Sequence, residues 1–131
     1  MEQDLSQIKF SNILLWMPNW IGDVVLALPS VQALYSCFQE AKISVAVRSP
    51  SHQLLEGHPA IDRVFEIPSG KDVGFWEQTQ FARSLSKNDF DLGVVFPNSF
   101  KSALLLRLVG AKYRLGYNTE VRDGFLTHSV E

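Results

Sequence analysis

The chain has 131 residues, of which 46% are hydrophobic and 20% are charged, a composition typical of one globular domain and unlike that of a disordered segment. Its formal net charge of -2 argues against a dedicated nucleic-acid-binding protein, because such proteins normally carry a basic excess. A single cysteine excludes an internal disulfide and a metal site built from cysteines.

The amino terminus, MEQDLSQIKF, is polar and acidic, so it lacks the order of charges and apolar residues found in signal peptides. No apolar run approaches the roughly 20 residues that span a bilayer. The lone cysteine, Cys37, falls in an apolar helical stretch, where we expect it to be buried, and its count fits a reducing cytosol. We therefore expect a soluble, cytoplasmic protein.

The first half of the chain alternates strand and helix patterns. A strand is predicted over residues 12–17, and an amphipathic helix follows Gly22, with Pro29 expected to kink it or split it in two. The next predicted elements are a strand, a short helix and another strand, over residues 43–47, 51–56 and 63–67.

The second half continues this alternation. It gives a helix, a strand, a second helix and a short strand, over residues 73–87, 91–96, 100–109 and 114–117. No periodicity follows, so we predict no sixth strand and no closing helix and expect a part of a longer protein. The alternation predicts an α/β fold, a Rossmann-like parallel sheet with helices on both faces.

Ligands of such folds bind at the carboxyl ends of the strands, where the strand order reverses. The first and fourth strands usually lie side by side at that point. The turn at residues 18–23 follows the first strand, and the turn at residues 97–101 follows the fourth. We therefore expect Asp23 to face Asn98, Ser99 and Lys101 across a crevice.

A dinucleotide site would need three glycines in the first turn, which reads PNWIGD and contains only one. Arg48, at the end of the second strand, would suit a 2′-phosphate, which keeps a nucleotide-dependent enzyme open as an alternative. No Walker motif is present, and the three histidines have no metal-ligand spacing, so we assign no metal.

Asp23 has two interpretations. It could cap the helix that begins beside it, a common use of aspartate, or it could act as a general base on a hydroxyl group bound in the crevice. From the residues alone, capping is favoured. Trp20, in the same turn, could line the cleft, but packing over the core is the favoured role.

Several basic residues could contact an anion. Lys101 lies one turn into a helix, where backbone N–H groups also attract anions. Lys71, Arg114 and Arg122 are further candidates, although each alone is more often a solvated surface charge.

Four stretches carry a family resemblance. They read PNWIGDVVLALP, HPAIDRVFEIP, FPNSFKSALLLRLVGAKYRLGY and NTEVRDGFLTH. Together they resemble the ADP-heptose:lipopolysaccharide heptosyltransferases of glycosyltransferase family 9, and among these the heptosyltransferase II branch. The resemblance covers about residues 13–128. The block at Asn98 to Ala103 is specific, whereas the W-I-G-D turn is shared more widely.

The resemblance implies the N-terminal half of a GT-B glycosyltransferase that transfers heptose with inversion and without a metal or other cofactor. Residues 1–131 would form a single, incomplete acceptor-binding domain, with the C-terminal donor domain absent. Asp23 matches the general base, which reverses the preference for capping. The implied acceptor-binding residues are Asn98, Ser99, Lys101, Arg122 and, less closely matched, Lys71.

The implied partners are the lipid A–inner core acceptor and, through the missing domain, ADP-heptose. The enzyme would work in the cytoplasm, in peripheral contact with the inner membrane, and without nucleic acid. This part alone is expected neither to bind ADP-heptose tightly nor to transfer heptose. Two alternatives remain open from the residues: a non-catalytic module that binds a glycolipid or a partner, and the nucleotide-dependent Rossmann enzyme.

Overall fold

A computed structural model describes residues 8–97, 100–117 and 128–130 of the chain. Its centre is a sheet of six parallel strands in the order β3-β2-β1-β4-β5-β6. The strands are β1 (Asn12–Trp16), β2 (Lys42–Arg48), β3 (Arg63–Ile67), β4 (Leu92–Val95), β5 (Tyr113–Tyr117) and β6 (His128–Val130). This order reverses between β1 and β4, as the sequence predicts.

In the described part of the chain, four α-helices lie between successive strands from β1 to β5. They are α1 (Ile21–Cys37), α2 (His52–Leu55), α3 (Phe75–Ser84) and α4 (Phe100–Val109), and a 3-10 turn over Leu85–Asn88 extends α3. Gly110 ends α4 with a φ of 83°, a left-handed conformation that glycine adopts at little cost.

The two faces of the sheet pack against different helices because successive strand residues point to opposite sides. On one face, Ile13 and Leu15 of β1 belong to the same buried cluster as Val24 and Val31 of α1. On the other face, Leu14 and Trp16 cluster with residues of α3 and α4, including Ala82, Ala103 and Leu106. Helices therefore cover both faces, as predicted; α1 and α4 lie on opposite faces and start from the same edge.

The opposite edge, where the strands begin, is held by Asp91. Its carboxylate oxygens accept hydrogen bonds from the backbone N–H groups of Ser11 (2.7 Å) and Asn12 (3.0 Å). The Asn12 amide donates in turn to the carbonyl oxygen of Asn88 at 2.6 Å. These bonds fix the start of β1 relative to the segment that leads into β4.

Two predictions of secondary structure are corrected. Pro29 does not split α1, which runs as one helix of 17 residues. A sixth strand is present: β6 pairs with β5, with Leu115 opposite His128. The predicted bounds of β3 and α4 are confirmed, and those of the other elements differ by a few residues.

Candidate functional site

The candidate site lies at the carboxyl edge of the sheet, beside the reversal of strand order. Strands β1 and β4 pair there, with Trp16 opposite Val95, and each leads into the helix that follows it. The predicted adjacency of the first and fourth strands is thus confirmed. The first turns of α1 and α4 flank this edge from opposite faces.

Asp23 is the third residue of α1 and is exposed. The residue at the N-cap position is Trp20, which makes no side-chain capping bond. Within the described residues, the structure shows no hydrogen bond or ion pair to the Asp23 carboxylate. The capping interpretation is therefore not supported, although a negative charge in the first turn still suits the helix dipole. The carboxylate is open to a ligand.

Trp20 is 75% exposed, so the prediction that its ring packs over the core is wrong. The turn places it at the helix start, ahead of the first residue of α1 that packs into the core, Val24. Because indole buries a large apolar area when it is covered, an exposed Trp20 beside Asp23 offers a contact surface to a ligand.

A small cavity of about 140 Å³ opens at the same edge, on the face that carries α3 and α4. Its floor is formed by Trp16, Ile67 and Leu105. Its polar lining consists of Asn19, Arg48, Gln78, Lys101 and Ser102. Five elements (β1, β2, β3, α3 and α4) and the turn after β1 thus contribute to it, and no acidic residue appears among these lining residues.

Arg48 is the last residue of β2, and its backbone pairs with Ile67 at the end of β3. Its Nε atom is shielded from solvent and has no hydrogen-bond partner among the described residues. The ammonium group of Lys101 lies 5.5 Å from the centre of the Phe75 ring, a cation–π distance that turns it towards α3. Two positive charges therefore border one cavity.

Gln78 connects α3 to the loop after β3. Its side-chain amide donates to the carbonyl oxygen of Pro68 at 3.2 Å, and the N–H of Gly74 donates to the Glu77 carboxylate at 2.8 Å at the start of the same helix. These bonds hold the α3 wall of the cavity in place.

The predicted site residues separate into three groups. Lys101 lines the cavity, while Asp23 lies at the same edge but is not among the residues that line it. Lys71 is exposed in the loop after β3 and does not line the cavity either. Asn98, Ser99 and Arg122 lie outside the described residues, so the expected approach of Asp23 to that block stays a prediction.

Arg114 is at the other end of the sheet, near the start of β5, so it is not part of this site. Its guanidinium donates to the carbonyl oxygen of Ala111 at 2.8 Å. Partial burial, and secondarily the charge of Arg107, lower the pKa of Arg114. The suggestion that Arg114 contacts the same anion is therefore wrong.

Sequence reasoning missed Asn19 and Gln78, and it assigned Arg48 only to a nucleotide phosphate. Arg48 carried one usable signal, its place at the end of a buried strand, where ligands of parallel sheets bind. Its approach to Lys101 depends on strand pairing and on how α4 crosses the sheet, and neither can be read from local sequence.

Two kinds of feature are absent from the described part of the chain. No helix there is long and apolar enough to cross a membrane. Nor do three or more His, Cys, Asp or Glu residues there come together as a metal site would require.

Comparison with known proteins identifies relatives. Residues 78–130 match the profile of Glycosyltransferase family 9 (heptosyltransferase). Lipopolysaccharide heptosyltransferase 2 of Escherichia coli (strain K12) is 31% identical over 117 residues, which are 87% of this chain and 33% of that protein. The chain thus spans about a third of the length of the curated relatives that it matches.

The chain is also similar to solved structures of glycosyltransferases. The structure of E. coli ADP-heptose lps heptosyltransferase II is similar with a TM-score of 0.80 and 28% identity, over 92% of this chain and 35% of that one. A family 9 glycosyl transferase from Veillonella parvula DSM 2008 has a TM-score of 0.86 over 95% of this chain and 37% of its own; at 17% identity it shows the fold alone. The predicted resemblance and the predicted fold class, a Rossmann-like half of a GT-B enzyme, are confirmed.

Proposed function

We propose that this chain is the acceptor-binding part of a lipopolysaccharide heptosyltransferase. The whole enzyme would transfer heptose from ADP-heptose to the inner core of lipid A. The observation that carries the proposal is the exposed Asp23 carboxylate, without a protein partner among the described residues, where α1 leaves the strand at the reversal of strand order. Similarity to heptosyltransferase 2 along 87% of the chain supports it.

In this proposal Asp23 accepts the proton of an acceptor hydroxyl group as its oxygen attacks the anomeric carbon of the heptose. The bond from that carbon to the phosphate oxygen breaks on the opposite side, ADP leaves, and the configuration inverts. ADP is a good leaving group, so a carboxylate is a sufficient base when the proton moves late. The step as written needs neither a metal nor a cofactor.

The acceptor-binding residues proposed with Asp23 are Lys101, Asn98, Ser99, Arg122 and Lys71. Of these, Lys101 has the support of geometry, because it lines the cavity at the carboxyl edge. The acceptor carries acidic groups on its core sugars and lipid, so basic residues are suited to hold it.

We also assign residues 1–131 to an N-terminal acceptor domain, with ADP-heptose bound by a C-terminal donor domain. The working place of this enzyme would be the cytoplasmic face of the inner membrane, where a lipid-linked acceptor is presented, and no nucleic acid takes part.

Isothermal titration of the 131-residue chain tests this division of labour. We expect a deacylated lipid A–inner core oligosaccharide to bind and ADP-heptose not to bind tightly, because the groups assigned here belong to the acceptor side. Adenosine diphosphate alone serves as the control for nonspecific nucleotide binding. Tight binding of ADP-heptose, or no binding of the oligosaccharide, would contradict the proposal.

A further inference from the structure

The cavity at the carboxyl edge has the chemistry of an anion site. Two of its lining residues, Arg48 and Lys101, are cations, and the others that are polar, Asn19, Gln78 and Ser102, are neutral. The structure shows no ion pair between either cation and the carboxylates of the described residues. A positive charge that borders a cavity without a counter-ion favours a negatively charged ligand.

The Nε atom of Arg48 gives stronger evidence for an anion site than the charges of the lining residues do. A buried N–H donor without an acceptor costs free energy, which a bound oxygen atom would recover. The chain places this donor at the end of β2, where the guanidinium borders the cavity. A planar guanidinium offers two parallel N–H groups to a carboxylate or a phosphate, whereas the Lys101 ammonium acts as a point charge.

The size of the cavity limits the ligand. Sites for whole cofactors or drug-sized molecules usually measure roughly 300–1,000 Å³, whereas this one has about 140 Å³. It therefore suits one acidic group of a larger molecule, whose remainder would lie outside, over the exposed edge that carries Asn19 and Asp23.

We propose that Arg48 and Lys101 together bind a single oxyanion, a phosphate or a carboxylate group of the ligand, and that Arg48 is the residue that selects it. Where the ligand is the acceptor, this deepens the proposed function and rests on it. The anion site itself depends on the cavity alone. Arg48 would then be a binding residue that fixes the acceptor relative to Asp23, rather than a nucleotide-binding residue.

NMR titration of the 131-residue chain with inorganic phosphate, and separately with acetate, tests this site. We expect the amide signals of Gln78 and Ser102 to shift with at least one anion. The anion that binds more tightly, phosphate or acetate, identifies the group as a phosphate or a carboxylate. Arg48→Gln should weaken that binding about tenfold, the effect of losing one charge-assisted contact. Lys101→Gln should weaken it as well.

The controls are Arg83→Gln and Lys87→Gln, which remove exposed charges from α3 and the turn after it and should change nothing. Arg48→Lys keeps the positive charge and most of the aliphatic part of the side chain, so we expect an anion affinity between those of wild type and Arg48→Gln. Well-dispersed NMR spectra verify that each variant is folded. No binding of either anion, or equal binding by Arg48→Gln, overturns the proposal. If anions bind but the oligosaccharide does not, the proposed function fails and the anion site remains.

Discussion

Two aspartates at opposite edges of the sheet differ in what the backbone around them requires. Asp91 accepts hydrogen bonds from two backbone N–H groups and joins the start of β1 to the segment before β4. The carboxylate of Asp23, in the first turn of α1, makes no hydrogen bond or ion pair with the described residues. The carboxylate of Asp91 is thus committed to the fold, while that of Asp23 remains available for a ligand.

The proposed role of Asp23 is tested in a protein that joins this chain to the proposed donor-binding domain. We expect Asp23→Asn to lower kcat for heptose transfer about 10²–10⁴-fold, because the amide keeps the shape of the side chain but cannot accept the proton. The acceptor KM should change by no more than about twofold. Radiolabelled or chromatographic product assays measure both constants.

The matched control is Asp72→Asn, which neutralises an exposed carboxylate in the loop after β3. This variant should keep the wild-type kcat and KM. A transfer rate near that of wild type in Asp23→Asn would show that the proton goes elsewhere.

At the scale of elements, β4 and α4 approach each other closely at Gly93. A Cβ atom added there would lie 2.7 Å from Leu106 Cδ1 and 3.2 Å from Ala111 Cβ. Leu106 is fully buried in the core cluster on that face of the sheet, so a shift of its side chain would disturb the packing there. Gly22, in the first turn of α1, has no atom within 4 Å of the same position.

We therefore expect Gly93→Ala to lower the free energy of unfolding by about 1–3 kcal/mol, the usual cost of overpacking a core. Gly22→Ala is the control and should raise it by about 0.5–1 kcal/mol, because alanine favours a helix. Urea unfolding followed by circular dichroism measures both. Equal stability of Gly93→Ala and wild type would contradict the close approach.

The sequence predicted those elements whose pattern and packing agree. The bounds of β3 and α4 were predicted correctly because a short strand pattern and an apolar helix each end at clear turn residues. The prediction that Pro29 splits α1 was wrong because the helix packs Val24, Ala27 and Val31 into the core on both sides of the proline. This packing outweighs one lost hydrogen bond. Strand β6 is three residues long, too short for a period, and its pairing with β5 is a tertiary contact.

The candidate site was likewise predicted where it depends on local sequence and missed where it depends on tertiary contacts. Asp23 was predicted from a local motif at a strand end, which the fold places at the expected edge. That Arg48 and Lys101 line one cavity was not predicted, because it depends on where α4 and the ends of β1, β2 and β3 lie relative to one another in the folded chain. Local sequence predicts where each strand ends, but it does not predict how far apart these ends lie in the folded chain.

At the scale of the molecule, the helices cover the sheet unevenly. Helix α1 lies over the centre of one face, and beside it an apolar groove of about 370 Å³ extends along β4 and β5. Leu34 and Cys37 of α1 form one wall, and Val94, Phe96 and Leu115 lie on the sheet side. Among the described residues, nothing covers this groove. Cys37 is exposed there, contrary to the prediction that it is buried.

This exposure makes Cys37 a reporter of the groove, since it is the only cysteine in the sequence. We expect one equivalent of Ellman's reagent to react in the folded protein without denaturant, and Cys37→Ser to give no reaction. A bimane label at Cys37 should show blue-shifted emission compared with the same label in urea, because the groove walls are apolar. A thiol that reacts only when urea unfolds the protein would mean that Cys37 is packed inside and that the groove is closed in solution.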